Sequence, residues 1–180
     1  MKIIANLCLL TLFLIPGCNL QPATLPTPST PVQQKEIVTA VSTSMPSTME
    51  EAYDVLVSFL TLLHTKDYAD AAPLYGGEYE QLQVFNPQID PADKVALWKA
   101  ACDNQQLQCL EVRSAVFKDL SGDWYIFQVE FSNPDGSLFV LGPCCGANET
   151  GMPPVSQFAY TVSRNGEHHY VVMDPPPYVP

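Results

Sequence analysis

The sequence predicts an α+β domain in which N-terminal helices pack on one face of a curved antiparallel β-meander. Three observations carry this. Apolar residues recur at helical spacing from Ser47 to about residue 101, and from Cys109 onward the period becomes two. Short turn signals separate the strand-like runs, and each fixes a register by itself. Those registers agree, gathering the aromatic residues on one side and the charged residues on the other. A sheet so divided buries its apolar side under helices.

The helices come first. Ser47-Thr48-Met49-Glu50 has the form of a capping box, and Ala52, Val55, Leu56, Phe59, Leu62 and Leu63 follow at i, i+3, i+4 spacing. Glu50, Glu51 and Asp54 occupy the first turn, where the helix dipole favours acids, and the helix is expected to end near His64. A second, short helix is expected over 67–75, stopped by Gly76-Gly77. A third opens with Asp90 as cap and Pro91 at its first position, and turns Val95, Trp98 and Ala101 inward.

Five strands are expected, over 109–118, 124–131, 137–141, 157–163 and 167–173. Asn165-Gly166 reads as a two-residue hairpin turn, pairing Val162 with His169 and Tyr160 with Val171. Asn133-Pro134-Asp135-Gly136 suits a turn with a glycine bulge that sets Phe131 opposite Phe139 and Val129 opposite Leu141. Ser121-Gly122 sets Val116 against Phe127 and Val112 against Phe131. The inner face then holds Tyr125, Phe127, Phe131, Phe158, Tyr160 and His169, the lining of a cup if the helices leave it partly unfilled.

This order of helices and strands resembles the NTF2-like (cone, cystatin-like) superfamily. The likeness spans about 47–177. It is strongest in the closing Tyr160-Thr-Val-Ser-Arg-Asn-Gly-Glu-His-His-Tyr-Val-Val and in the step His64-Thr-Lys-Asp-Tyr-Ala-Asp-Ala-Ala. The resemblance implies a fold rather than an activity. Enzymes of that superfamily project an acid or base from the inner sheet face. Here the predicted inner face has no Asp or Glu, leaving His169 as candidate base with Tyr160 or Tyr53 as donor. A histidine satisfied within the core is the stronger expectation.

The first eighteen residues address the chain. Lys2, an apolar run from Ile3 to Ile15, and Ile15-Pro16-Gly17-Cys18 resemble a bacterial lipoprotein leader with its lipobox. The resemblance implies cleavage before Cys18, lipidation of its sulfur, and export to an extracytoplasmic membrane surface. The apolar run is shorter than the roughly 20 residues of a membrane span. Residues 1–17 are thus read as signal peptide, 18–47 as a tether rich in Pro, Thr and Ser, and 48–180 as the folded domain. A flexible tether of that length reaches about 30 Å.

Composition narrows the partners. The chain carries 19 acidic and 8 basic side chains, a net charge of −11, which becomes −12 once Lys2 leaves with the leader. That balance opposes nucleic acid and adsorption to anionic lipid, both of which need basic patches. Export makes disulfides the default for Cys102, Cys109, Cys144 and Cys145. Zinc is disfavoured by the spacing, since structural sites use Cys-x(2–4)-Cys knuckles. Cys109 opens the first strand while Cys144 follows the third, some 23 Å away at about 3.3 Å per residue. Cys102 is therefore expected to pair with Cys109, leaving Cys144 and Cys145 as a vicinal disulfide, a free pair or an intermolecular link. No cofactor is expected. The preferred function is a membrane-anchored, non-enzymatic domain binding a small apolar ligand or a protein partner. The alternatives are an isomerase or dehydratase using His169, and a protein–protein module acting through the polar sheet face at Arg113 and Glu130.

Overall fold

The computed structural model describes residues 47–166 and 169–179, all within one compact unit. The leader, the tether and Cys18 lie outside the described residues. Helix α1 (Ser47–Thr65) buries Ala52, Leu56, Phe59 and Leu63 as the spacing predicts, with Leu60 beside them, while Val55 and Leu62 are half-buried. It ends in a Schellman motif: Asp67 N–H donates to the Leu62 carbonyl at 2.8 Å and Lys66 N–H to Leu63 at 3.3 Å, with Lys66 at φ +69°. Helix α2 (Tyr68–Ala71) runs into a 3-10 turn, Ala72–Leu74. From there Tyr75 forms a parallel bridge with Val172 and Gly76 N–H donates to the Val172 carbonyl at 2.9 Å. A Cβ on Gly77 would strike the Met173 carbonyl and the Tyr75 ring, so only glycine permits this approach.

Two helices differ from expectation. Helix α3 (Glu80–Phe85) has no signal in the sequence beyond its buried Leu82. Helix α4 (Lys94–Asp103) starts later than predicted, because Asp93 rather than Asp90 is the cap and accepts the Ala96 N–H at 2.9 Å. Asp90 instead closes a local turn, accepting Ala92 N–H at 2.9 Å. Trp98 and Ala101 are buried as predicted; Val95, in the first turn, is exposed.

Strands β1 (Glu111–Ser121), β2 (Trp124–Ser132), β3 (Phe158–Arg164) and β4 (Tyr170–Val172) form one antiparallel sheet in the order β1-β2-β3-β4. The fold is therefore α+β, with α1 packed against the sheet face that carries Tyr125, Phe127, Val129, Phe131, Tyr160 and Val162. Val112 pairs with Phe131 as predicted. The turn, however, is Gly122-Asp123, with Gly122 at φ +63°, and two irregularities in β1 absorb the difference. Phe117 rather than Val116 consequently lies opposite Phe127, and Val116 is exposed.

The run 137–141 forms no strand. β2 gives that edge to β3, pairing Val129 with Phe158, so the expected Val129–Leu141 pair does not form. What survives is a bridge between Ser132 and Leu138 and the Phe139 N–H donating to Phe131 at 2.9 Å. The last hairpin is also re-registered. Arg164 pairs with Tyr170 and Val162 with Val172, an odd shift that exchanges the faces of the final strand. Tyr170 and Val172 are buried in place of His169, Val171 and Met173. The proline tail lies on the fold rather than standing free. Pro176 and Pro177 are buried, the Pro177 carbonyl accepts Gln108 N–H at 2.8 Å, and Tyr178 stacks on Phe85 at 5.1 Å.

Candidate functional site

The predicted cup is filled. Phe127 and Phe131 are 0% exposed and Tyr160 1%, sealed among α1 side chains and their own neighbours. Phe131 meets Tyr160 edge-on at 6.1 Å and Phe158 at 5.8 Å, while Tyr53 of α1 lies 6.2 Å from Phe127. Tyr125 meets Tyr170 edge-on at 5.6 Å. Such close-packed rings contribute about 0.5–1.5 kcal/mol per pair beyond their burial. Burial pushes the Tyr160 hydroxyl far above its ordinary pKa, and that hydroxyl has no hydrogen-bond partner among the described residues.

His169, the candidate base, sits exposed in the loop joining β3 to β4. Its backbone N–H donates to the Asn165 side-chain oxygen at 3.1 Å, while Asn165 N–H donates to the His169 carbonyl at 2.8 Å. It lines a surface hollow of about 640 Å³ with Glu51, Asp54 and Pro73, whereas Tyr160 lines a different one near Pro175 and Tyr178. The structure does not bring His169 and Tyr160 together. His64 donates from Nδ1 to the Cys109 carbonyl at 3.2 Å, an anchoring role.

Of the cysteines, Cys102 and Cys109 lie at disulfide distance with Cα atoms 5.6 Å apart, tying the end of α4 to the start of β1. Cys144 and Cys145 are thiols whose sulfurs lie 2.8 Å apart. Among the described residues no group of three or more His, Cys, Asp or Glu side chains is arranged to hold a metal ion, and no helix is long and apolar enough to cross a membrane.

The polar face of the sheet is largely self-satisfied. Arg113 donates to the Gly136 carbonyl at 3.0 Å, and Glu130 accepts from Ser114 and Gln157, each at 3.0 Å. Those hydrogen bonds hold the Glu130 carboxyl below its usual range. Ser114 lies on this outer face with Glu130.

What the sequence did not reveal is a groove of about 860 Å³ beside that face. Trp124, 51% exposed, forms one part of it; Val84, 68% exposed, and Phe85 of α3 form another; Gly76, Gly77 and Met173–Pro175 supply backbone and small side chains between. Among the described residues its lining includes the carboxylates Glu78, Glu80 and Asp174 and no cation. Behind it, Tyr75, Tyr79, Trp98 and Phe59 form a fixed aromatic wall. Tyr75 packs edge-on to Trp98 at 4.9 Å, and Trp98 Nε1–H donates to the Tyr79 hydroxyl at 3.0 Å. The groove therefore offers apolar and aromatic surface, exposed at a large cost in hydration, with acids around it. No protein-family model matches this chain, and no curated protein matches it in sequence.

Proposed function

We propose that this protein is a lipid-anchored envelope lipoprotein, held to an extracytoplasmic membrane surface through Cys18. Its folded domain, NTF2-like in kind, is a non-enzymatic recognition module for a protein partner. The partner presents a segment that combines apolar side chains with Lys or Arg. The observation carrying this reading is the groove between Trp124 and Val84–Phe85, open and apolar, with Glu78, Glu80 and Asp174 as the charged lining residues among those described. Charge selects the occupant: a net −11 chain repels a second copy of itself, and a basic segment is drawn to the acids. The filled interior favours this surface over a small apolar ligand inside the cup, since Phe127, Val129 and Phe131 leave no exposed area there.

The anchor is tested by mass spectrometry of the membrane-extracted protein, which is expected to begin at Cys18 and carry an acyl adduct. The groove is tested by titrating the protein with a short peptide of alternating Lys and Phe and following binding by calorimetry, with the emission of the exposed Trp124 as a second readout in the wild type. Binding is expected to weaken about tenfold in Trp124→Ala, a loss of about 1.4 kcal/mol, and to fall with salt. Equal binding of an Asp-Phe peptide, or no effect of Trp124→Ala, would refute it.

A further inference from the structure

The loop 142–154 is closed at its base by a bridge between Leu141 and Val155. Within it the chain turns at Cys144, whose carbonyl accepts the Ala147 N–H at 2.9 Å, and both Cys145 and Gly146 adopt positive φ, 58° and 84°. Adjacent side chains on an extended chain point to opposite sides. Bringing both sulfurs to 2.8 Å requires a turn of this kind, with a side-chain-bearing residue in the left-handed region at a cost of about 1–2 kcal/mol. The two thiols differ in access: Cys145 is exposed and Cys144 half-buried. The other cystine is already made, between Cys102 and Cys109.

We propose that Cys144 and Cys145 are a thiol–disulfide exchange site that closes to a vicinal cystine by reducing an incoming low-molecular-weight or protein disulfide. The exposed Cys145 loses its proton to water, and its thiolate attacks one sulfur of the incoming disulfide. That S–S bond breaks, one thiolate leaves, and a mixed disulfide stands on Cys145. Cys144, deprotonated in turn, attacks the Cys145 sulfur, expels the second thiolate and closes the ring. Two electrons pass to the incoming disulfide, and the two protons released reappear on its two thiols. The Cys144 thiol is pushed up by its hydrogen bond with Cys145 and by burial. Cys144 is therefore slow to ionise, and the first attack falls to the exposed Cys145. This site is independent of the groove by Trp124.

Trypsin makes the test direct, because cleavage at Lys99, Arg113, Lys118 and Arg164 puts Cys102 and Cys109 on fragment 100–113 and Cys144 and Cys145 on fragment 119–164. The full-length protein, with this pair mildly reduced, is treated with glutathione disulfide, acid-quenched and alkylated. Fragment 119–164 is expected without alkyl group or glutathione and lighter by two hydrogens. Cys144→Ser is expected to trap glutathione on Cys145. A wild-type fragment that is doubly alkylated, retains glutathione, or is cross-linked to another fragment or chain would overturn the proposal.

Discussion

The carboxylate of Asp174 accepts the Thr161 N–H at 2.6 Å, at the point on the β3–β4 ladder where the Met173 carbonyl lies against Gly77 instead. Met173 N–H still donates to Thr161 at 2.9 Å, so the rung is half backbone and half side chain. Asp174→Ala leaves a part-buried donor unmet and is expected to cost about 1–3 kcal/mol in urea unfolding. Asp174→Asn, which keeps an oxygen acceptor, is expected to cost less.

Gly77 is tied to the same rung. A methyl group there meets the Met173 backbone and the Tyr75 ring, neither of which is the free end of a flexible chain. Gly77→Ala is expected to destabilise the domain by about 1–3 kcal/mol, read as a lowered unfolding midpoint with an unchanged denaturant slope.

The two tryptophans report opposite environments. Trp98 is fully buried and hydrogen-bonded to Tyr79, whereas Trp124 is half exposed. In Trp124→Phe the remaining emission is expected to be blue-shifted and resistant to acrylamide. In Trp98→Phe it is expected to be red-shifted and readily quenched. Trp98→Ala is expected to cost about 3–5 kcal/mol.

Stability is expected to fall at both ends of the pH range. Hydrogen bonds from Lys99, Lys66 and Tyr68 hold the Asp103 carboxyl far below its ordinary range. Its contribution is present above that range and is lost as pH falls beneath it. Burial, then the hydrogen bond to Asp103, pushes Tyr68 from 10.0 to about 12. Burial first, then Tyr125, does the same for Tyr170. Neutral tyrosine is favoured in the fold, so this contribution is intact below pH 10 and lost as pH rises to about 12. Unfolding curves measured across pH are expected to flatten on the acid side in Asp103→Asn and on the alkaline side in Tyr68→Phe.

The Cys102–Cys109 link closes a loop with a sequence separation of 7. Chain entropy for a loop that short gives about 2–3 kcal/mol. Cys102→Ser with Cys109→Ser is expected to lower unfolding free energy by that amount, and a reductant to do the same in the wild-type protein.

Helices α1 and α2, the body of α4 and the positions of β1, β2 and β3 were legible because burial follows periodicity. Leu56, Phe59 and Leu63, and then Phe127, Val129 and Phe131, are buried where their spacing places them. The last hairpin was not, because Asn165 uses its side chain as well as its backbone to close the loop, binding His169 through both. That lengthens a turn which Asn-Gly suggests is short, and it turns His169 out and Tyr170 in. The groove was not legible either. It arises where α3, without a side-chain cap, meets Trp124 across 40 residues of sequence, and no local pattern encodes that meeting.

Strand β1 is an outer strand of the sheet, and its pairing with β2 slips twice, at Val112/Ser114 and at Phe117/Asp119. Among the described residues its outer edge therefore lacks an evenly spaced row of donors and acceptors, and Arg113 and Lys118 stand at the breaks. A stray extended chain cannot be zipped along it in continuous register. Growth of one sheet onto another copy is therefore disfavoured along this edge.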